Sequence, residues 1–386
     1  MRIGVVALLL AAVAIAPMAA PADDCRSITV NEPEVAPHPR IRALLIEGLP
    51  VHVLMPARYD ESGETRYPVL YLLHGFTMNH NSWLYFSDLI DFTAREDAGD
   101  VIVVLPAMNG FAADLDHRNG TGIFETFFVE RLIPAIDAAF PTLSDRSHRA
   151  VAGLSAVSAL IFAARHPDLF VAAGGLSTGA TFTPSAEAFP FERFSWWCYG
   201  GAVGDEGVLG DPVGDTIWYA DVSPVDLARN FRGMSIYFSI GTGTPCDEED
   251  VRELLFPVIP AEYAVAHWGE AFLRTTQQSF HEALTAEGIP HRWDARDCGL
   301  HTWRWFEDGL HEFWPQMLDA FGSPPPAAFD FRTVDAPENR RAGNGAPLAS
   351  NHRVWGWTFR ADPARAPESS ISGAGRRRGS RSPGRA

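Results

Sequence analysis

Two short apolar segments constrain the fold of this chain most strongly. They read YPVLYLL (67–73) and VIVVLP (101–106), with apolar side chains on both faces of a strand. Such strands are typical of a parallel sheet that helices cover on both sides. Further β-rich runs lie at 51–55, 149–153, 171–176, 235–241 and 292–295, and helical patterns lie at 82–95, 124–139, 156–166, 270–287 and 305–321. The alternation predicts an α/β fold with a mainly parallel central sheet.

A serine stands where one of these strands meets a helix. In VAGLSAVSAL (151–160), Ser155 follows the β-run 149–153 and precedes the helical pattern. A sharp strand-to-helix turn raises a serine hydroxyl for attack, and the first N–H groups of the helix point at it. The pattern G-x-S-x-G is met only in part, because Val157 replaces the second glycine. We predict that Ser155 is a nucleophile; the alternative is a small residue at a tight turn.

A serine hydroxyl needs a base, and the chain offers a histidine in the expected place. When a serine stands on such a turn, the acid and then the histidine follow it along the chain. The segment DARDCGLHTWRW (294–305) places His301 in a loop after the last predicted strand. His281 and His311 lie inside predicted helices, and His291 precedes a strand. His301 is therefore the predicted base.

The residue pattern alone leaves the acid open. The acid should follow the strand 235–241 and orient the imidazole of the base. Six carboxylates satisfy that position: Asp247, Glu248, Glu249, Asp250, Glu262 and Glu270.

Two backbone N–H groups are predicted to form an oxyanion hole. One belongs to Ala156, directly after the nucleophile, and the other to Phe76 in the segment LHGF (73–76) after a buried strand. Preorganised N–H groups in these two loops stabilise the negative charge of a tetrahedral intermediate.

Several segments together resemble the putative-esterase family, which includes esterase D-like enzymes, feruloyl-type esterases and the secreted mycolyltransferases. The segments are YPVLYLLHG, FETFFVERLIP, GLSAVSALIFAARHPDLF, GTGTP and GLHTWRWF, and the likeness covers residues 40–320. The resemblance implies an α/β-hydrolase fold without a cofactor or metal. It also implies an acyl-enzyme reaction on carboxylic esters, with transfer to water or to a sugar or lipid alcohol.

The mycolyltransferase branch implies which carboxylate is the acid. Its acid lies two positions before a phenylalanine that opens a helix, and GEAFLRTTQQSF (269–280) matches that helix. The resemblance therefore assigns the acid to Glu270, with Ser155 and His301 as its partners. Mycolyltransferases carry an aspartate, which helps to hold a sugar acceptor, where this chain has His74. The segment FTMNHNSW (76–83) also lacks the expected arginine, so trehalose recognition is not implied.

Candidate substrate contacts come from His74 and from aromatic residues. An insertion over 177–232 is rich in glycine, proline and aromatic residues, including Trp196 and Trp197, and Trp303 lies next to the predicted base. A long insertion after the central strands often covers the site. The alternative is that these aromatic residues only pack against the body of the domain.

The N-terminal segment predicts export. Arg2 precedes an apolar run at 5–16, and Ala-Pro-Ala at 20–22 is a small-residue cleavage site, which together predict a signal peptide over 1–22. The alternative is a membrane anchor, but the run is short for a span, and no later segment is long and apolar enough. We therefore expect a secreted or cell-envelope protein.

Four cysteines, Cys25, Cys198, Cys246 and Cys298, allow three complete pairings. In the implied fold, the loop of the acid and the loop of the base lie side by side at the carboxyl edge of the sheet. A Cys246–Cys298 disulfide is therefore predicted. The chain has no C-x-x-C motif, and its histidines lack ligand spacing, so no structural zinc is expected.

The remaining domain boundaries follow composition. We expect a catalytic domain over 23–321, a C-terminal extension with short β segments over 322–368, and a disordered basic tail over 369–386. The net charge of −17, without a basic stripe, argues against nucleic acid as a partner. The expected partner is a small-molecule, lipid or glycolipid ester. One alternative is mycolyltransferase-type transfer to a cell-envelope glycolipid, and another is a non-catalytic secreted binding protein.

Overall fold

A computed structural model describes the chain at residues 34–75, 78–108, 114–116, 123–154, 158–181, 216–253, 267, 269–326, 328–333, 351–354, 357–360 and 369–374. The predicted signal peptide and most of the insertion therefore lie outside the described residues. Cys25 and Cys198 also lie outside them.

A sheet of eight strands forms the centre of the molecule, in the order β1-β2-β4-β3-β5-β6-β7-β8. The strands are β1 (Ile41–Ile46), β2 (Leu49–Leu54), β3 (Val69–Leu73), β4 (Ile102–Pro106), β5 (Arg149–Gly153), β6 (Ala172–Leu176), β7 (Ser235–Ile240) and β8 (Arg292–Ala295). Strands β1, β2 and β4 pair antiparallel, whereas β4, β3 and β5 to β8 pair parallel. The predicted α/β fold with a mainly parallel sheet is confirmed.

Helices lie on both faces of this sheet. They are α1 (Ser82–Phe86), α2 (Leu89–Phe92), α3 (Phe124–Phe127), α4 (Ile133–Ala139), α5 (Ser158–Arg165), α6 (Thr216–Asp221), α7 (Glu248–Glu253), α8 (Glu270–Ala286) and α9 (Trp303–Ala320). A π-helical turn, Phe128–Leu132, joins α3 to α4, and short 3-10 turns lie at Glu96–Ala98, Arg146–His148 and Ala228–Phe231.

Side chains of β3 alternate between two hydrophobic cores. Val69, Tyr71 and Leu73 pack with residues of α3, α4, α5 and α8, whereas Leu70 and Leu72 pack with residues of α1, α2 and α9. Successive side chains of a strand point to opposite faces, so β3 contributes to both cores. This explains why the segment is apolar at nearly every position.

Sequence periodicity missed the edge strand β1 and a break in the first predicted helix. β1 pairs with β2 through a tight turn in which Glu47 and Gly48 both adopt positive φ, at 49° and 91°. β1 is an edge strand and only half buried, so it lacks the continuous apolar run of the central strands. The helix predicted over 82–95 is interrupted at Ser87, which is extended and whose hydroxyl donates to the carbonyl of Trp83 at 2.5 Å.

The C-terminal region adds two small antiparallel pairs. β9 (Ala328–Thr333) pairs with β12 (Ser369–Ala374), and β10 (Asn351–Val354) pairs with β11 (Trp357–Arg360). The expectation of disorder from residue 369 onward is wrong for 369–374. A ladder of backbone hydrogen bonds does not require apolar side chains, so a polar segment can pair with a neighbouring strand. Residues 375–386 lie outside the described residues.

Candidate active site

A carboxylate and an imidazole meet at the carboxyl edge of the parallel sheet. Glu270 is the first residue of α8, and its side chain is fully buried, with 0% exposed. Its Oε2 lies 2.8 Å from Nδ1 of His301, whose side chain is 21% exposed. The arrangement fixes the imidazole tautomer, because Nδ1–H donates to the carboxylate and Nε2 is left to accept a proton.

Two further donors hold the carboxylate of Glu270. The hydroxyl of Ser177 lies 2.6 Å from Oε1 and 2.5 Å from Oε2, and the backbone N–H of Gly241 donates to Oε1 at 2.6 Å. A buried carboxylate requires such donors because it has lost its water. Ser177 and Gly241 directly follow β6 and β7, so the sheet itself brings them to α8.

The other candidate acids lie apart from the imidazole or outside the described residues. Asp247 and Asp250 both accept from Arg304, at 2.7 and 2.9 Å. Hydrogen bonds from Arg304 hold the pKa of Asp247 below its usual range. Glu248 and Glu249 are exposed on α7, and Glu262 lies outside the described residues. Among the described carboxylates, Glu270 alone contacts the ring of His301.

Backbone hydrogen bonds join the loop after β7 to the loop after β8. The N–H of Gly243 donates to the carbonyl of Gly299 at 2.9 Å, and the N–H of Gly299 donates to the carbonyl of Thr244 at 2.7 Å. The chains approach so closely that a Cβ on Gly241 would lie 2.3 Å from the carbonyl oxygen of Gly299. Glycine is required at Gly241 for this contact.

The same two loops carry a disulfide. Cys246 and Cys298 are bonded, with their Cα atoms 5.2 Å apart and a sequence separation of 52. The predicted pairing of these two cysteines is confirmed. It links the loop that precedes His301 to the loop whose Gly241 N–H holds Glu270.

His74 is a structural residue of the loop after β3. Its side chain is 2% exposed, its Nε2 accepts from the N–H of Met108 at 3.1 Å, and its Nδ1 lies 2.9 Å from the carbonyl oxygen of Gly75. Burial lowers the pKa of His74, which favours the neutral ring. The expectation that His74 contacts substrate is therefore corrected, because both ring nitrogens bind backbone groups of the protein.

An aromatic cluster lies beside His301. Phe306 contacts the imidazole with ring centroids 4.7 Å apart, and Trp303 lies 5.6 Å from Phe306. Trp303 stacks on Phe86 at 5.2 Å and meets Trp83 edge-on at 5.3 Å. These rings form an apolar wall next to the imidazole.

A family model described as Putative esterase matches residues 45–317. The chain belongs to this esterase family. Esterase Rv1288 of Mycobacterium tuberculosis is 29% identical over 255 residues, covering 62% of this chain and 50% of that protein. The diacylglycerol acyltransferase/mycolyltransferase Ag85B of Mycobacterium intracellulare is 26% identical over 276 residues, covering 68% of this chain and 78% of that protein. The chain thus spans about half the length of the first curated relatives it matches.

Solved structures share the fold of this esterase-family chain. MPT51 of Mycobacterium tuberculosis superposes with a TM-score of 0.56 at 19% identity, over 74% of this chain and all of that one (100%). The serine hydrolase FphF of Staphylococcus aureus superposes with a TM-score of 0.53 at 15% identity, over 72% of this chain and 98% of that one. These likenesses establish the α/β-hydrolase fold.

Several predicted site residues of this esterase-family chain fall outside the described part. They are Ser155, Ala156, Phe76, Trp196 and Trp197. The chain immediately before Ser155 is described, and there Gly153 packs so closely that a Cβ would lie 2.5 Å from the carbonyl oxygen of Leu73. Glycine at this position of the serine motif therefore allows β5 to lie against β3.

Sequence reasoning missed Ser177 and Gly241. Ser177 belongs to no motif that we recognised, and Gly241 opens the segment GTGTP, to which we had given no catalytic role. Each lies far along the chain from the carboxylate that it contacts. The available signal was positional, since Ser177 follows one predicted parallel strand and Gly241 ends another. No helix in the described part of the chain is long and apolar enough to cross a membrane.

Proposed function

We propose that this chain is a serine carboxylic-ester hydrolase or acyltransferase that works through an acyl-enzyme. The observation that carries the proposal is the buried Glu270 bound to Nδ1 of His301 at the carboxyl edge of the sheet. In sequence, Ser155 follows β5, and β5 ends at that same edge, where β5, β6, β7 and β8 are successive parallel neighbours. Nucleophile, acid and base thus follow neighbouring strands, as the reaction requires.

In the proposed reaction, Ser155 attacks the ester carbonyl carbon while Nε2 of His301 takes its proton. The C–O bond to the leaving alcohol then breaks, and His301 returns the proton to that alcohol. Glu270 stabilises the imidazolium that forms in each step. Water or a second alcohol then attacks the acyl-enzyme by the reverse sequence, which restores Ser155.

The predicted oxyanion donors are the N–H groups of Phe76 and Ala156. The described residues on either side of the first donor are joined, because the N–H of Met78 donates to the carbonyl of Gly75 at 3.2 Å. His74 contacts the same carbonyl and links it to Met108 on the neighbouring loop. A donor fixed in advance costs no reorganisation when negative charge develops on the carbonyl oxygen.

The proposed substrates are carboxylic esters, with water or a sugar or lipid alcohol as the acyl acceptor. The names of the relatives support both outcomes, since one is an esterase and another a diacylglycerol acyltransferase/mycolyltransferase. The aromatic wall beside His301, in which Phe306 contacts the imidazole and Trp303 contacts Phe306 and Phe86, supports an apolar group near the scissile bond. Transfer to a cell-envelope glycolipid is included in this proposal as one acceptor class.

Export through the predicted signal peptide over 1–22 is also proposed. The Cys246–Cys298 disulfide supports it, because structural disulfides persist mainly in oxidising compartments.

The decisive experiment compares the wild type with Ser155→Ala. The wild type should release p-nitrophenol from a short-chain ester with an initial burst and should react with a fluorophosphonate probe. Ser155→Ala should lose activity on the order of 10⁶-fold if the triad acts as a unit, and it should not be labelled. A Ser155→Ala protein that keeps its activity would exclude the serine mechanism.

A further inference from the structure

Ser177 presents its hydroxyl to a carboxylate that has no contact with solvent. The residue follows β6 directly and is 2% exposed. Its hydroxyl lies 2.6 and 2.5 Å from the two carboxylate oxygens of Glu270. Its own N–H donates to the carbonyl of Ser239 at 2.9 Å, which ties the backbone of Ser177 to β7.

The backbone of Ser177 adopts a conformation that serine avoids. Its φ is 51°, in the left-handed region that glycine enters freely and other residues enter at a cost. A glycine at this position would provide the same turn without that cost. Serine differs from glycine by its hydroxymethyl group, and the hydroxyl of that group reaches Glu270. The hydrogen bond to the carboxylate therefore compensates for the backbone strain.

The surroundings of Glu270 give this hydroxyl a specific task. The carboxylate receives the Ser177 hydroxyl, the Gly241 N–H at 2.6 Å and the imidazole of His301 at 2.8 Å. The nearby guanidinium of Arg274 binds the carbonyls of Gly241 and Arg296 instead, at 3.2 and 2.7 Å. Before the imidazole becomes charged, the ionised carboxylate is therefore held by neutral donors, and hydrogen bonds to the charged form favour it.

We propose that Ser177 is a positioning residue that holds the carboxylate of Glu270 directed at Nδ1 of His301. The proposal rests on the proposed acyl-enzyme function, in which the pair Glu270–His301 serves Ser155. Ser177 acts through Glu270 and not on the substrate, so its removal should lower kcat while KM stays nearly constant.

The first test replaces the hydroxyl and compares a matched control. Ser177→Ala should lower kcat about 10-fold, with KM within about 2-fold, since a hydrogen bond to a charged group is lost. The acidic limb of the pH–rate profile should move to higher pH, because the ionised carboxylate loses a donor.

The control is Thr142→Val. Thr142 is also buried and donates to a carboxylate, that of Asp137 at 2.8 Å, but it precedes β5 at the opposite edge of the sheet. This control should leave kcat and the pH profile unchanged.

Two more variants separate positioning from stability. Ser177→Gly removes both the hydroxyl and the strain, whereas Ser177→Thr keeps a hydroxyl on a β-branched side chain that is more strained in this region. The melting temperatures should fall in the order glycine, alanine, threonine. The activities should follow a different order, with threonine above alanine and glycine.

The outcomes distinguish this proposal from the proposed function. A wild type that neither hydrolyses p-nitrophenyl esters nor reacts with a fluorophosphonate overturns both. An active wild type and an inactive Ser155→Ala protein uphold the function. In that case, a Ser177→Ala protein with unchanged kcat and pH profile overturns the role of Ser177. The role is also overturned if the activities of the glycine, alanine and threonine variants follow the order of their melting temperatures.

Discussion

At the scale of single residues, the surroundings of the acid Glu270 supply the number of hydrogen-bond donors that suits a carboxylate. Ser177, Gly241 and His301 each offer it a hydrogen, so the carboxylate accepts from all three. An amide of the same size has one acceptor oxygen and an NH₂ group that must face a donor. The site is therefore built for an ionised carboxylate and not for a neutral residue of equal volume.

We therefore expect Glu270→Gln to lower kcat on the order of 10⁴-fold, because the imidazole loses the partner that fixes its tautomer. The measurement is steady-state hydrolysis of a p-nitrophenyl ester, with circular dichroism to verify folding. Asp247→Asn is the control, because Asp247 binds Arg304 at the surface and does not contact His301. If Asp247→Asn were the crippling change, the assignment of the acid would be wrong.

At the scale of elements, hydrogen bonds to α7 connect the loop that contains Cys246 to the start of α9. Asp250 on α7 is fully buried and accepts from the N–H of Cys246 at 2.6 Å. It also accepts from Arg304 and from the indole N–H of Trp305, each at 2.9 Å. Because α9 begins shortly after His301, this network and the disulfide restrain the loop of the base from both sides.

The disulfide should contribute stability more than catalysis. Replacing both Cys246 and Cys298 by serine should lower the free energy of unfolding by about 4 kcal/mol in the chain-entropy model, since the bond closes a long loop. Urea denaturation measures this change. The value of kcat at 25 °C should change little, because the Gly243, Thr244 and Gly299 backbone bonds remain. Peptide mapping without reduction that linked Cys246 to another cysteine would contradict the pairing.

At the scale of the whole molecule, one buried and two half-buried histidines connect stability to pH. His52 on β2 contacts His80 with ring centroids 4.6 Å apart, and His74 lies at the end of β3. Burial, together with the neighbouring His52 and His74, lowers the pKa of His80 to about 4. Burial also lowers the pKa of His52 and of His74.

These shifts predict acid destabilisation. In the unfolded chain, histidine takes up a proton near pH 6.5, whereas the folded pKa values are lower. The unfolded state thus binds more protons in this window, and the free energy of unfolding should fall as the pH drops from about 6.5 to about 4. Urea denaturation between pH 7.5 and 4.5 checks this. His80→Gln should flatten the dependence, and a wild-type stability that is constant over the range would contradict it.

The sequence by itself determined the pattern of the central elements and the order of the candidate catalytic groups. The runs that became β5 and β8 were predicted at their observed bounds. For β5 the reason is that a buried strand needs a local apolar pattern, which is read directly along the chain. His301 was selected from its place after β8. The acid was not fixed by the residues, since six carboxylates satisfied the same position, and the family resemblance was needed to prefer Glu270.

Only the tertiary structure decided which side chains meet. Ser177 lies 93 residues from Glu270, and His74 lies 34 residues from Met108, so no local pattern connects either pair. Their contacts exist because parallel strands bring their carboxyl ends to one edge of the sheet, whatever the length of chain between them. His74 is the instructive case: its place in the loop after β3 made it a candidate substrate contact, yet in the fold its two ring nitrogens bind a backbone donor and a backbone acceptor. Burial and hydrogen-bond geometry belong to the packed chain, and periodicity and spacing do not encode them.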